Sequence, residues 1–172
     1  GLTGLSACTY LGGAGEDYVY SMATSTAGDV YVFGDTTSEF FPTTSGAYDI
    51  TFNGGTGQHD AFISKLTDTL SVLSASTYLG GGSEDFANAI AIDPTNSNIY
   101  VVGFTRSTDF PTTSSAWSTT NYGGGATYDA FISKLDAALS APTSTLPPPP
   151  AGGGGGGGGC FIATAAYGSS LA

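Results

Sequence analysis

Basic residues are what this chain has least of: Lys65, Arg106 and Lys134 stand against fourteen Asp and Glu, for a net charge of −11. That balance repels phosphate backbones and anionic headgroups and excludes nucleic acid as a partner. Long apolar runs are missing as well. None approaches the ~20 residues that a membrane-spanning helix requires, and no charged-then-apolar leader opens the sequence, so a secreted chain would here be the mature product. Histidine occurs once, at His59, and GxSxG, HExxH, CxxC and CxxCH are all missing, which argues against an activated nucleophile, a structural zinc or a c-type haem. Only 10% of the residues are charged, and stretches rich in Glu, Lys, Leu and Ala, from which long helices are built, do not occur. Asn53, Asn88, Asn96, Asn98 and Asn121 all lack a hydroxyl residue two places on, so any glycan on the chain would be O-linked. Gly, Ser, Thr and Tyr fill the space instead, the composition of a β-rich extracellular or cell-surface protein.

What the chain has is an internal repeat. DAFISKL occupies residues 60–66 and returns unchanged at residues 129–135. Thr9-Tyr10-Leu11-Gly12-Gly13 answers Thr77-Tyr78-Leu79-Gly80-Gly81, Glu16-Asp17 answers Glu84-Asp85, and Phe41-Pro42-Thr43-Thr44-Ser45 answers Phe110-Pro111-Thr112-Thr113-Ser114. The offset is 68 before the turn Asp93-Pro94-Thr95-Asn96 and 69 after it, so that turn holds one inserted residue.

Each copy alternates β-branched and aromatic residues between Gly, Asp and Asn turns, which predicts strands over residues 5–11, 18–25, 29–36, 61–66 and 70–79, then 86–92, 99–105 and 130–135. A long polar loop built around FPTTS precedes the DAFISKL strand in each copy, pinned in the first by Phe41, Tyr48 and Phe52. After Leu139-Ser140-Ala141, where the fourth strand of the second copy should start, prolines take over. They cannot donate to a ladder.

The order YLGG, ED, a hairpin ending in VYVFGDT or IYVVGFT, then FPTTS and DAFISKL, met twice, resembles the bacterial β-propeller repeat family called SBBP over about residues 3–141. The resemblance implies an all-β fold of two four-stranded antiparallel propeller-type blades. Strand counting adds that an orphan outer strand precedes the first blade while the second lacks its own. The expectation is that Leu5, Ala7, Thr9 and Leu11 of one subunit complete the second blade of another, head to tail, giving a ring or a fibre.

Three regions follow: a two-blade domain at residues 1–141, a Pro/Gly-rich linker at 142–159 with eight consecutive glycines, and a tail at 160–172. Extended at ~3.3 Å per residue, the linker reaches about 60 Å, enough to span a subunit. Cys160-Phe161-Ile162-Ala163-Thr164-Ala165-Ala166-Tyr167-Gly168-Ser169 resembles a segment found behind glycine runs near the C-terminus of secreted bacterial proteins, and the small residues after it suggest processing. Phe161, Ile162 and Tyr167 join the expected subunit interface.

Cys8 stands where the second copy has Ser76, and with Cys160 it is expected to form a disulfide, within or between chains. Within one chain it would close a loop of roughly 150 residues, worth on the order of 5 kcal/mol in the chain-entropy picture. The repeated Glu16-Asp17, Glu84-Asp85, Asp60 and Asp129 read as turn caps ahead of calcium ligands, since neither DxDxDG nor GGxGxD occurs. No cofactor is therefore expected, calcium being the alternative. Tyr31, Phe33, Phe62, Tyr100 and Phe131 read as packing between sheets. Phe41, Tyr48, Phe110 and Trp117 lie in loops and are candidates for glycan stacking or subunit contact, core packing being the plainer reading for Trp117. The sequence thus points to a non-enzymatic extracellular structural protein that self-assembles. The alternatives are a surface module binding carbohydrate or protein through Tyr48 and Trp117, and a portion of a larger propeller.

Overall fold

A computed structural model describes residues 4–140. Seven strands form two antiparallel sheets: β1 (Asp17–Thr24), β2 (Val30–Thr36), β3 (Asp60–Leu66) and β4 (Leu73–Leu79) in the first, then β5 (Asp85–Ile92), β6 (Ile99–Thr105) and β7 (Asp129–Leu135) in the second. Neighbours in sequence are neighbours in each sheet, as short hairpin turns and one long loop per sheet require. Both first strands carry a β-bulge at the same place in the repeat, after Val19 in β1 and after Ala87 in β5.

The sheets pack face to face. Alternation along β2 and β3 turns Tyr31, Phe33, Ala61 and Ile63 towards the second sheet, where they share one buried cluster with Ala87, Ile90, Ile99, Val101 and Phe131. On the other side of the first sheet, Phe62 and Tyr78 pack with Phe41, which the long loop brings back across the sheet to 4.1 Å from the Phe62 ring. Directly opposite Phe62 in the ladder lies Gly34. A Cβ there would meet the Tyr18 carbonyl oxygen at 1.9 Å and the Phe62 ring at 2.7 Å. Gly103 repeats the arrangement under Phe131.

The structure departs from the sequence reading in three places. Residues 5–11 form no strand in this chain: Leu5, Ala7 and Thr9 are exposed, and Leu11 alone is half-buried, against the Phe62 cluster. They pair with no strand of the single chain, and a strand without a ladder partner has nothing to hold it extended. As the sequence reading has it for a single chain, the second sheet has three strands among the described residues. The turn towards a fourth is made, since Leu139 takes the left-handed φ of 51° that Leu70 (φ 54°) takes before β4, but Ser140 then bridges to Ala47 of the first sheet's loop. Phe41 is core, buried by its contact with Phe62, and no longer a candidate for ligand stacking; Phe110 likewise stacks on Phe131 at 4.3 Å. Trp117 is fully exposed, against the expectation of packing, while Tyr100 sits 39% exposed on a face that carries no third sheet.

Gly34→Ala should overpack the first sheet and cost about 1–3 kcal/mol, read as a lower urea midpoint. Gly4→Ala, which would add a methyl into open space, should leave the midpoint unchanged.

Candidate functional site

The hairpin topology gathers the repeated aspartates at one end of both sheets, at the starts of β1, β3, β5 and β7. Each fastens a turn. Asp17 accepts a hydrogen bond from the Gly13 N–H at 2.8 Å and another from the Thr36 hydroxyl. Its counterpart Asp85 accepts from the Gly81 N–H at 2.7 Å and the Ser107 hydroxyl at 2.8 Å. Asp60 takes the Asn53 N–H at 2.7 Å, and Asp129 takes Tyr122 at 2.6 Å and Gly123 at 3.2 Å. A carboxylate presents several lone-pair directions to backbone donors that a tight glycine turn leaves over, so one Asp per turn satisfies them. Among the described residues, no three His, Cys, Asp or Glu side chains converge to hold a metal ion.

Where the two sheets meet, this end holds a joint that belongs to the first copy alone. His59 Nδ1 lies 2.9 Å from Asp35 Oδ1, with Asp35 completely buried. The His59 ring is flanked by Phe86 at 5.0 Å and Tyr18 at 6.2 Å, and its carbonyl accepts the Asp85 N–H at 2.7 Å. The Ala87 backbone N–H of the second sheet faces Asp35 and favours its charged form, while Asp35 Oδ2 has no hydrogen-bond partner. Burial raises its pKa and the neighbouring His59 charge opposes the rise. A cleft of about 380 Å³ opens beside it, at the two bulges, between Tyr20, Phe86, Asn88 and Phe104.

Deeper in, Asp60 and Asp85 converge on Gly80. A Cβ on Gly80 would fall 2.8 Å from Asp60 Oδ1 and 2.9 Å from Asp85 Oδ2, so only glycine leaves the two carboxyls their space. Asp60 Oδ1 has no hydrogen-bond partner. Burial, with smaller contributions from the Asp85 and Asp49 charges, pushes the Asp60 pKa up to about 7 against the Asn53 and Gly54 N–H groups that lower it.

The family model of the SBBP beta-propeller repeat matches residues 8–41 and 76–111. No curated protein matches the chain. The two matched stretches begin at equivalent points, Cys8 in the unpaired segment and Ser76 in β4, so the repeat unit opens on the strand that β4 exemplifies. Each then runs through the Gly-Gly turn, the aspartate and the first hairpin to the FP of the long loop.

The residues singled out from the sequence do not gather at one site. Tyr48 is half-buried against the shared core, its N–H bonded to the Leu139 carbonyl at 2.8 Å, whereas Trp117 stands out from its own loop. Cys8 is an exposed thiol. Cys160, Phe161, Ile162 and Tyr167 lie outside the described residues, together with the linker. The Asp35–His59 joint went unread, although the sequence carried a sign of it: where the first copy has Asp35 and His59, the second has Phe104 and Tyr128, a pair changed together. Those two rings meet edge to face at 5.3 Å, with Tyr128 donating to Glu84 at 2.6 Å under the Arg106 guanidinium.

The folded chain retains on Asp60 a proton that the unfolded chain releases near the ordinary value of 3.8. Its contribution to stability is therefore full below about pH 4 and lost as pH rises through 7. The urea midpoint should fall between pH 5 and pH 8, and Asp60→Asn should flatten that fall; an unchanged slope would show that Asp60 ionises normally.

Proposed function

We propose that this chain is a non-enzymatic structural subunit, working outside the cell or at its surface, that joins further copies head to tail by donating residues 5–11 to the open edge of β7. One comparison carries the reading. Leu5-Ser6-Ala7-Cys8-Thr9-Tyr10-Leu11 repeats Leu73-Ser74-Ala75-Ser76-Thr77-Tyr78-Leu79 with a single change, yet Tyr78 is buried in its sheet while Tyr10 is fully exposed. The acceptor is prepared in the same terms. In the first sheet the Tyr78 hydroxyl accepts the Phe41 N–H at 2.9 Å beside the Phe41–Phe62 pair. The Phe110–Phe131 pair stands ready in the second sheet for Tyr10 of another copy. An unpaired edge strand and an unpaired strand of matching sequence are each a liability alone, and each is the other's remedy.

A second reading, a surface module that takes a carbohydrate or protein ligand, is favoured by the full exposure of Trp117. The repeat match is also what a portion of a longer propeller would give, in which case a further blade supplies the missing strand.

Light scattering of the purified chain should show mass rising with concentration, and rising further with salt, because screening weakens the repulsion between copies of net charge −11. In β4 the Ser76 and Tyr78 backbone groups bond outward to the residue 44–49 loop, which leaves Thr77 to bond β3. Thr9→Pro should accordingly remove a ladder donor and lower the mass. A wild-type chain that stays monomeric at every concentration would defeat the proposal. Monomers that bind a glycan through Trp117, with binding lost in Trp117→Ala, would favour the module.

A further inference from the structure

The repeat gives a second, independent measure of what this molecule lacks. Because the two copies align, the contacts that β2 and β3 make on the first sheet's inner face have counterparts on the far face of β6 and β7. Ile63 is 0% exposed beneath the second sheet, and its counterpart Ile132 is 79% exposed. Tyr31 and Phe33 are buried, while Tyr100 and Val102 are more than a third exposed. The same holds in the opposite direction: Ile90 of the second sheet is 9% exposed against the first, and its counterpart Met22, on the rear of the first sheet, is 59% exposed, as Val19 is 52% exposed where Ala87 is buried.

We infer that the far face of β6 and β7 in one copy seats the rear face of β1 and β2 in a second copy, repeating between molecules the sheet-on-sheet contact already formed within each. The inference rests on the head-to-tail reading above and adds to it a face, distinct from the donated strand. The occupant is indicated by continuity with the internal interface, because the exposed residues are the counterparts of those buried there and no other surface is matched to them in that way. The change at Asp35 and His59 also fits. Within the chain Asp35 meets the Ala87 N–H and His59 faces Phe86. Between copies Phe104 and Tyr128 would stand opposite Val19 and Tyr18, so an apolar and aromatic pair replaces a buried charged one where two molecules must come apart and meet. The Asp85 N–H to His59 carbonyl bond at 2.7 Å becomes Asp17 of the second copy to Tyr128.

The internal contact also says where to place a probe. Ser21 Oγ lies 3.3 Å from the Ile90 backbone nitrogen, and the counterparts of these two residues are Ala89 and Met22 of a second copy. In the full chain with Cys8→Ser and Cys160→Ser, the double variant Ala89→Cys, Met22→Cys should give, on mild oxidation, a ladder of disulfide-linked multimers on a non-reducing gel. The two positions lie on opposite outer faces of one molecule, so an internal bridge is ruled out. Either single cysteine variant should give no ladder, and Ile132→Lys in the double-cysteine background should abolish it. Assemblies that persist by light scattering while the double variant yields no crosslink would overturn the face and leave strand donation standing. A monomeric double variant would overturn both.

Discussion

A twisted antiparallel sheet that is apolar on both faces cannot stand alone in water, and that constraint governs this protein. In many antiparallel sheets one face meets the core and the other meets solvent. Here β2 places Tyr31 and Phe33 on one side and Val32, with a glycine roofed by Phe62, on the other. The first sheet meets the demand twice, with the second sheet on one face and the folded-back loop bearing Phe41 over part of the other. The second sheet meets it once. Tyr100, Val102 and Ile132 stay exposed on its other face.

The polar chemistry of the chain serves this packing. Glycines let turns and rings approach closely, the turns leave backbone donors over, and an aspartate, buried at Asp60 and Asp85 and half-buried at Asp17 and Asp129, collects them at each turn. The cost appears as a carboxyl at Asp60 whose pKa has risen to about 7. At the boundary between the sheets Asp35 lies buried beside His59, whose ring and carbonyl meet β5 of the second sheet.

Most of the fold was legible because its signals are local and doubled. Strand positions came from alternation and turn residues, and each was read twice, so all seven observed strands fall where the repeat placed them, within about three residues at their ends. Which aromatic faces water was not legible. Phe41, Phe110 and Trp117 all lie in loops of similar composition, yet two find a ring across the sheet and the third does not. That depends on how far the loop folds back, a matter of contacts between residues distant in the chain. The pattern at residues 5–11 is sound as a strand, and what it lacks in the single chain is a ladder partner.

The sequence by itself determined the unit, its strand order, its turns and the count that leaves one strand over and one place unfilled, since these are set by neighbours a few residues apart and by the identity of two copies. The tertiary structure alone decided which faces are covered, that Asp35 and His59 join the sheets, and that Asp60 is buried against Asp85. Those facts depend on the approach of segments separated by tens of residues, where burial and the removal of water, which no local pattern records, set the outcome.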